Sequence, residues 1–305
     1  MKNVLVKSLV SFILITSLIL GYNRLDVIAS EASDSSEIDL SGMYRRYDLV
    51  TGEISLVSKE AAPTYVDGQR VVSTDGFISG SYKQVTEEDR NVIGGDTRTI
   101  VNNTTDSPYY GIGRIVASYT DGTSQEGTGF LVSKNVMLTN GHMCMSPNNA
   151  SISSMTIYFG QNGSYTPVTA YASSYYVCAN YNYFGDDVQD DYAIVILSSN
   201  VGYTTGWFGL DYKNNSFFFN NTFTITGYPG EFATGTMYRS SGTIYDCSTY
   251  VLEYFIDTSA GQSGAPIYQS NVAYGIHSSG TASMNYGRRM TQEVFDWLVA
   301  QGFVN

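Results

Sequence analysis

Short segments rich in β-branched and aromatic residues follow one another along the chain between residues 113 and 277. Clusters of Gly, Asn, Ser and Asp separate them, for example Gln161-Asn162-Gly163 and Asn214-Asn215. This spacing of short strands and turns is typical of an all-β sandwich or a pair of barrels. The expected strands are Gly113–Tyr119, Gly129–Ser133, Val136–Leu138, Met155–Phe159, Tyr192–Leu197, Thr222–Tyr228, Val251–Asp257 and Val272–His277.

One helix is expected near the end of the chain, from Thr291 to Gln301. Thr291 can serve as its N-cap, and the next residue but one is acidic, which complements the helix dipole. Val294, Trp297 and Leu298 then share one apolar face, and a glycine follows the helix as a stop signal. The sequence therefore predicts an all-β fold with a single C-terminal helix.

The first 29 residues have the pattern of a secretory signal peptide. Lys2 and Lys7 precede an apolar run from about Leu9 to Leu20, and small or compact residues follow it. A membrane span needs roughly 20 apolar residues, and this run is shorter and interrupted by hydroxyl side chains. We expect export with cleavage after Ala29, with Ala32 as the alternative.

Residues 30–90 differ in composition from the rest, with scattered acidic residues and few long apolar stretches. They end in Glu87-Glu88-Asp89-Arg90, a charged sequence suited to proteolytic cleavage. Composition alone is equally consistent with a linker or spacer domain, but the position of these residues in front of the region that carries the motifs described below favours a pro-segment that keeps that region inactive. The mature chain is expected to begin at Asn91 or, as the alternative, at Val92.

Residues 91–305 are sufficient for one two-lobed domain with a sizeable core. This region has 15 acidic and 7 basic residues. A net negative charge argues against nucleic acid and anionic membranes as partners, and it suits a soluble extracellular protein. We expect a monomer.

The chain has only two histidines, so it offers few candidates for a general base near neutral pH. They lie in Leu138-Thr139-Asn140-Gly141-His142 and in Tyr274-Gly275-Ile276-His277-Ser278-Ser279-Gly280. The order His142, Asp191, Ser263 is one of the orders in which a Ser-His-Asp triad occurs along a chain.

Ser263 is flanked by Gly261 and Gly264, which allow a tight turn that projects its hydroxyl. Such a turn also directs the amides of Gly261 and Ser263 at one point, where the oxyanion of an acyl-transfer intermediate would form. Gly-x-Ser-Gly alone is a weak signal, because glycine turns with serine are common. Together with the histidine and aspartate segments, in this order and at this spacing, it predicts a serine hydrolase.

These segments resemble those of the bacterial glutamyl endopeptidases, and the resemblance spans nearly the whole of residues 91–305. It rests on Asn91-Val92-Ile93-Gly94, Gly127-Thr128-Gly129-Phe130, Leu138-Thr139-Asn140-Gly141-His142, Asp191-Tyr192-Ala193-Ile194, Ile225-Thr226-Gly227-Tyr228-Pro229-Gly230, Asp257-Thr258-Ser259-Ala260-Gly261-Gln262-Ser263-Gly264 and Gly275-Ile276-His277. The resemblance implies a secreted serine protease with a chymotrypsin-like double β-barrel, the barrels covering roughly residues 91–200 and 201–305.

The resemblance also implies a role for each residue of the site. His142 would be the general base, Asp191 its orienting carboxylate, with Asp190 as the alternative, and Ser263 the nucleophile. The amides of Gly261 and Ser263 would form the oxyanion hole.

The same resemblance implies the substrate-binding residues. The segment from Ser278 to Gly280 would pair with the substrate backbone as an added strand. His277 and Thr258 would line the pocket for the side chain before the cut bond, with the new amino terminus as a possible third group. Glu would be preferred and Asp cleaved less well, because the two differ by one methylene, worth roughly 1–3 kcal/mol.

Two alternatives remain open at this point. Asp257 lies where trypsin-like enzymes keep the aspartate that selects Lys or Arg, and Arg90-Asn91-Val92-Ile93-Gly94-Gly95 is similar to a trypsinogen-like activation site. However, Gln262 stands where that mechanism needs an aspartate, so activation must work differently. A latent, toxin-like or binding protein on a protease fold is the second alternative, and a serine-directed fluorophosphonate would distinguish it.

The remaining chemistry-bearing residues are three cysteines and one acidic run. An odd number of cysteines leaves one thiol over, and Cys144 with Cys178 is the favoured pair because both belong to the first barrel. Cys247 would then be free. The acidic run from Asp186 to Asp191 could bind calcium, but a solvated acidic loop is the preferred interpretation. No metal or cofactor is expected.

Overall fold

Two antiparallel β-sheets, each closed into a six-stranded barrel, make up most of the described chain. The structure is a computed structural model, and it describes residues 40–60, 92–179, 181–183 and 188–304. The expected signal peptide, both expected cleavage points before residue 92 and the first two residues of the acidic run lie outside the described residues. Residues 41–305 belong to one compact unit.

The first sheet contains a barrel of six strands and a hairpin attached to it. Numbered in chain order, its strands are β1 (Met43–Asp48), β2 (Ile54–Ser58), β4 (Ile112–Tyr119), β5 (Ser124–Leu131), β6 (Val136–Thr139), β7 (Ile152–Phe159), β8 (Val168–Cys178) and β9 (Ala193–Leu197). The barrel runs β8-β7-β4-β5-β6-β9 and closes because β9 pairs again with β8. Fully buried side chains such as Ile115, Leu131 and Ile157 fill it.

The second barrel is built in the same way. Its strands are β11 (Thr222–Gly227), β12 (Tyr238–Cys247), β13 (Val251–Tyr254), β14 (Pro266–Gln269), β15 (Val272–Gly280) and β16 (Asn285–Arg289), with β3 (Thr99–Ile100) beside β12 and β10 (Gly209–Leu210) parallel to β15. The order β15-β14-β11-β12-β13-β16 closes through pairing of β16 with β15. Phe223, Ile225, Leu252 and Ile267 fill its core. The predicted all-β double barrel is confirmed.

The hairpin β1–β2 comes from within the expected pro-segment. β1 pairs antiparallel with β8 from Tyr44↔Cys178 to Asp48↔Ser174, and β2 pairs with β1. Tyr44 is 1% exposed, and its ring lies in a buried cluster with Cys178 and Trp297. The linker-like composition of this segment gave no indication of these two strands.

Three short or medium helices complete the described chain, α1 (Gly202–Thr205), α2 (Asn215–Phe219) and α3 (Gln292–Ala300). Helix α3 is the expected C-terminal helix, one residue shorter at each end, and it buries Val294, Trp297 and Leu298 as expected. Thr291 occupies the N-cap position as expected, although its side chain makes no capping hydrogen bond. None of the helices in the described ranges is long and apolar enough to cross a membrane.

Candidate active site

His142 and Asp191 meet at one end of the first barrel. Strands β6 and β9 pair antiparallel with Thr139 opposite Ala193. The segment that follows β6, with His142, and the segment that precedes β9, with Asp191, therefore lie at the same end of the barrel. The His142 ring nitrogen Nδ1 lies 2.9 Å from Asp191 Oδ2 and 3.1 Å from Oδ1. The His142 backbone amide also donates to Asp191 Oδ1 at 2.9 Å, which fixes the carboxylate relative to the ring.

The buried Asp191 carboxylate is held in its ionised form. Burial raises its pKa, but the charge of His142 and the hydrogen bonds from His142 and Ser278 outweigh this, and the pKa falls from 3.8 to about 2. The Ser278 hydroxyl donates to Asp191 Oδ2 at 2.5 Å. Asp190, the alternative for this role, lies instead 3.8 Å from the ammonium of Lys59. The geometry therefore places Asp191, and not Asp190, against the histidine.

The protonation state of His142 follows from this contact. An ionised carboxylate has no proton to donate, so Nδ1 of His142 must be the donor to Asp191. In the neutral imidazole, Nε2 is then the unprotonated nitrogen, and it can accept a proton from a nucleophile.

Ser263 lies in the loop between β13 and β14 and is 1% exposed. Its hydroxyl donates to the Ser278 carbonyl oxygen at 3.5 Å, while the hydroxyl of the same Ser278 holds Asp191. Ser278 therefore contacts both the candidate nucleophile and the candidate orienting carboxylate. From the sequence this residue was expected only to pair with the substrate backbone.

The two glycines of the Ser263 loop are required by their surroundings. Gly261 and Gly264 have φ values of +92° and +85°, where side chains other than glycine are strained. A Cβ at Gly261 would lie 2.5 Å from the Tyr228 carbonyl oxygen, and one at Gly264 would lie 2.0 Å from the Thr128 carbonyl oxygen. The loop is therefore packed directly against neighbouring backbone.

Two amides of this loop are candidate donors of an oxyanion hole, because they differ from their neighbours in their hydrogen bonds. The amide of Gln262 donates to Ser259 O at 3.0 Å, and that of Gly264 donates to His277 O at 2.8 Å. By contrast, the amides of Gly261 and Ser263 donate to no other group within the described part of the chain. Two neighbouring donors of this kind can stabilise an oxygen that becomes negatively charged.

Thr128 of β5 joins the two barrels behind the Ser263 loop. Its amide donates to Ser263 O at 2.8 Å, and its hydroxyl donates to Gly261 O at 2.8 Å. The same hydroxyl accepts from the Tyr228 amide at 3.1 Å. From the sequence, Thr128 is identified only as part of a segment shared with the glutamyl endopeptidases. A hydroxyl residue between two glycines, next to an expected strand, could have marked it as a functional residue.

The candidate pocket residues His277 and Thr258 are both fully buried. His277 Nδ1 lies 2.7 Å from the Tyr254 hydroxyl, which donates to the Tyr286 carbonyl oxygen at 3.0 Å. The Thr258 hydroxyl has no hydrogen-bond partner among the residues that the structure describes. The backbone of His277 pairs with Gly264 and Ala265, directly after the candidate nucleophile.

Gly280 ends β15, two residues beyond Ser278. A Cβ at this position would lie 2.0 Å from Asn285 Oδ1, so the close approach of β16 requires glycine. The structure thus places Ser278 between Ser263 and Asp191, and Gly280 further along the same strand.

Asp257 is bound by the segment that follows the expected cleavage point. The amide of Ile93 donates to Asp257 Oδ1 at 2.8 Å, and the amide and hydroxyl of Thr97 donate to Oδ2 at 2.8 and 2.5 Å. The carboxylate is 1% exposed. Its two oxygens are therefore engaged within the protein.

The expected disulfide is wrong, because Cys144, Cys178 and Cys247 are all free and buried. Cys144 packs in the core of the first barrel, whereas Cys178 lies at the end of β8 in a different cluster with Tyr44 and Trp297. Burial raises the pKa of both thiols, that of Cys178 to about 12. These thiols are therefore protonated and unreactive in the folded protein.

No group of three or more His, Cys, Asp or Glu side chains that could hold a metal ion occurs among the described residues. Asp186 and Asp187, part of the acidic run considered for calcium, lie outside them.

Comparisons with known proteins agree with this fold. The model of the trypsin family, described as Trypsin, matches residues 100–298. The glutamyl endopeptidase of Bacillus licheniformis is 33% identical over 68% of this chain and 67% of its own length. The extracellular metalloprotease of Bacillus subtilis is 29% identical over 88% of both chains. The described residues offer no ligand set for the metal that its name implies.

Solved structures give the same result. A Glu endopeptidase in complex with MPD matches with a TM-score of 0.62 and 28% identity over 69% of this chain and 98% of the solved one. The protease Anisep from Arthrobacter nicotinovorans matches with a TM-score of 0.54 at 18% identity, which shows the fold alone.

The chain therefore belongs to the trypsin family. It is a serine endopeptidase, similar to the bacterial glutamyl endopeptidases, and its substrates are proteins or peptides.

Proposed function

We propose that this endopeptidase is exported by its signal peptide, residues 1–29, and activated by removal of a pro-segment that ends at residue 90. It then cleaves peptide bonds after Glu and, less efficiently, after Asp. His142, Asp191 and Ser263 form the catalytic triad, and the amides of Gly261 and Ser263 form the oxyanion hole.

The reaction follows from the protonation states at the site. His142 Nε2 takes the proton of the Ser263 hydroxyl as its oxygen attacks the substrate carbonyl carbon, and Asp191 stabilises the resulting imidazolium. The Gly261 and Ser263 amides donate to the carbonyl oxygen as it gains negative charge. The imidazolium then gives its proton to the leaving amine, and a water molecule hydrolyses the acyl-enzyme by the same steps.

The observation that carries the Glu preference is the bonding of His277. The Tyr254 hydroxyl has one proton and donates it to the Tyr286 carbonyl oxygen, so it accepts from His277 Nδ1. This fixes a proton on Nδ1 and makes Nε2 the nitrogen that takes up the second proton. A substrate carboxylate favours that doubly protonated, positive form, because a buried carboxylate needs a partner of opposite charge.

Thr258 supports the same preference. Its hydroxyl is buried without a partner among the described residues, and an unsatisfied buried hydroxyl costs about 1–3 kcal/mol. A substrate carboxylate in the pocket would accept from this hydroxyl and recover that free energy.

The bonding of Asp257 argues against the Lys- or Arg-specific alternative. Both of its oxygens already accept hydrogen bonds from Ile93 and Thr97. A substrate cation would have to displace these donors from a carboxylate that is almost completely buried.

Matched peptides that differ only in Glu, Gln or Lys before the cut bond test this specificity. The wild type should prefer the Glu peptide. His277→Ala should lower kcat/KM on the Glu peptide by about a hundredfold or more, because loss of one partner of a buried charge pair costs roughly 3–5 kcal/mol. Tyr254→Phe, which keeps the ring but removes the hydroxyl bound to Nδ1, should lower it less. Equal losses on all three peptides, or a wild type that prefers Lys, would contradict the proposal.

The nucleophile is tested separately. Ser263→Ala should abolish hydrolysis and labelling by a fluorophosphonate while circular dichroism and the unfolding temperature stay as in the wild type. Substantial hydrolysis by this variant would show that Ser263 is not the nucleophile. A wild type that is folded, cleaved at the expected point and yet unlabelled would instead indicate a latent or binding protein.

A further inference from the structure

The hairpin β1–β2 is bound to the first barrel as an additional pair of strands. Five consecutive residue pairs join β1 to β8, and two backbone bonds extend this contact, from Ala179 N to Met43 O and from Leu49 N to Ser173 O, at 2.9 and 2.8 Å. Main-chain pairing of this kind is how a separate peptide binds to the edge of a sheet.

A tyrosine on each face of β1 packs into the protein. The Tyr44 ring lies 4.5 Å from the ring of Trp297, and the Trp297 indole donates to Ser58 O at 2.9 Å. On the opposite face, Tyr47 stacks on Tyr175 at 4.6 Å. The hairpin therefore fills space in the core that the barrel and helix α3 would otherwise leave open.

The hairpin also contacts the segment that carries the catalytic carboxylate. The Tyr44 and Tyr192 hydroxyls lie 2.6 Å apart, and Lys59 lies 3.8 Å from Asp190. Tyr192 and Asp190 are the two chain neighbours of Asp191. No hydrogen bond or ion pair that the structure shows joins the hairpin to Ser263, Thr258 or the Ser278–Gly280 strand within the described residues.

The hairpin does not lie where an inhibitory segment would bind. An inhibitor must occupy the substrate side of the site and leave on activation. Residues 41–60 instead pair with β8 in the sheet and contact the two chain neighbours of Asp191. The expected cut at residue 90 or 91 lies well beyond them along the chain. Cutting the chain there removes none of the contacts described above.

We infer that residues 41–60 remain bound to the protease domain after the chain is cut, as a non-covalent strand pair that holds the Asp190–Tyr192 segment in place. The inference rests on the proposed function only in taking the cut to lie between the hairpin and residue 92. Tyr44 is then a positioning residue, which acts on catalysis through its contact with Tyr192.

The test for retention of residues 41–60 does not require an enzymatically active protein. Full-length Ser263→Ala is cut by a trace of trypsin, which cleaves after Arg70, Lys83 or Arg90 between the hairpin and the domain. We expect the fragment that contains residues 41–60 to elute with the domain on native gel filtration, and mass spectrometry to find the two in equal amounts. Elution of the domain alone would overturn the inference. Because the readout is binding, failure of the Glu preference would not affect it.

Alkylation of Cys178 gives a second measure of whether the hairpin is retained. Cys178 is fully buried, and its register partner in β1 is Tyr44. In the cut protein Cys178 should resist iodoacetamide, as Cys144 does. Tyr44→Ala should expose Cys178 to alkylation at least about tenfold faster and leave Cys144 protected. Val50→Ala, a change in the hairpin turn at a residue 80% exposed, is the matched control and should change nothing. Equal labelling of Cys178 in both variants would contradict the inference.

Kinetics of the active, cut enzyme separate positioning from general stability. Tyr44→Phe removes only the hydroxyl bonded to Tyr192, so it should lower kcat several-fold and leave KM unchanged, because the hairpin lies away from the substrate strand. Val50→Ala should keep both constants. The fragment can also be removed from the cut enzyme in mild denaturant before the enzyme is returned to buffer. An undiminished kcat after this treatment would show that the hairpin has no positioning role.

Discussion

Gly264 and Gly122 form a matched pair for measuring how closely the Ser263 loop must approach the first barrel. Both have a φ of +85°, so alanine is strained by the same backbone conformation at either position. A Cβ at Gly122 meets nothing within 4 Å, whereas one at Gly264 would lie 2.0 Å from the Thr128 carbonyl oxygen and 2.3 Å from Thr139 Oγ1. The difference between the two variants therefore isolates the packing contact.

The expected magnitudes follow from these contacts. Gly122→Ala should cost about 1–2 kcal/mol from conformational strain, and thus lower the Tm by about 2–8 °C in a domain of this size. Gly264→Ala adds a clash with backbone, worth about 1–3 kcal/mol or more, and must displace Ser263 from its position. A displacement of about 1 Å at a catalytic group costs roughly a hundredfold in rate.

Differential scanning calorimetry and steady-state kinetics measure the two effects. Gly122→Ala should retain full kcat/KM below its Tm, and Gly264→Ala should lose at least about a hundredfold at a temperature where it is folded. Similar Tm values and similar activities of the two variants would show that the contact between this loop and Thr128 does not position the nucleophile.

Three other buried polar side chains allow shorter tests. Asp191→Asn should lower kcat by about 10⁴-fold, because an amide does not select the Nδ1 proton, and retained activity in kinetic assays would argue against the triad. The Asp191 pKa of about 2 in the folded protein lies below its ordinary value of 3.8. The ionised carboxylate therefore stabilises the fold by about 2 kcal/mol above about pH 4, and this stabilisation is lost as the pH falls through about 2. Urea unfolding at pH 2 to 5 should show this pH dependence in the wild type and not in Asp191→Asn. Asp257→Asn should lower the Tm without changing the ratio of Glu to Lys cleavage, and a changed ratio would place Asp257 in the pocket. Thr128→Val should lower kcat/KM about tenfold while Thr128→Ser retains it, and equal activities would show that the hydroxyl is dispensable.

The strands that the sequence predicted were those in which β-branched and aromatic residues are dense. All eight have counterparts in the structure, including Ala193–Leu197 and Thr222–Gly227. Strands β8 and β12 were not among the predicted strands, because Ala, Ser, Arg and Gly dilute the pattern over much of their length. In β1 the buried residues Tyr44 and Tyr47 are three positions apart, so the alternation that identifies a strand is missing.

For the candidate site, motif order predicted the residues but not all of their contacts. His142 and Asp191 are 49 positions apart and meet because β6 pairs with β9, which the pattern of short strands alone does not specify. The second contact of Ser278, with Asp191, depends on the direction of its side chain from β15. The Tyr254 hydroxyl reaches His277 across the second barrel, and no local sequence feature marks that contact.

The three buried thiols have a consequence for the conditions under which this enzyme can fold. All three cysteines of the chain are free, so packing and hydrogen bonds, and no covalent crosslink, maintain the two barrels. Exported proteins with structural disulfides need an oxidising compartment to reach their native state. We therefore expect the redox potential of the surroundings not to affect the folding of this chain, which should reach the same native state in a reducing cytoplasm as in the oxidising medium outside the cell.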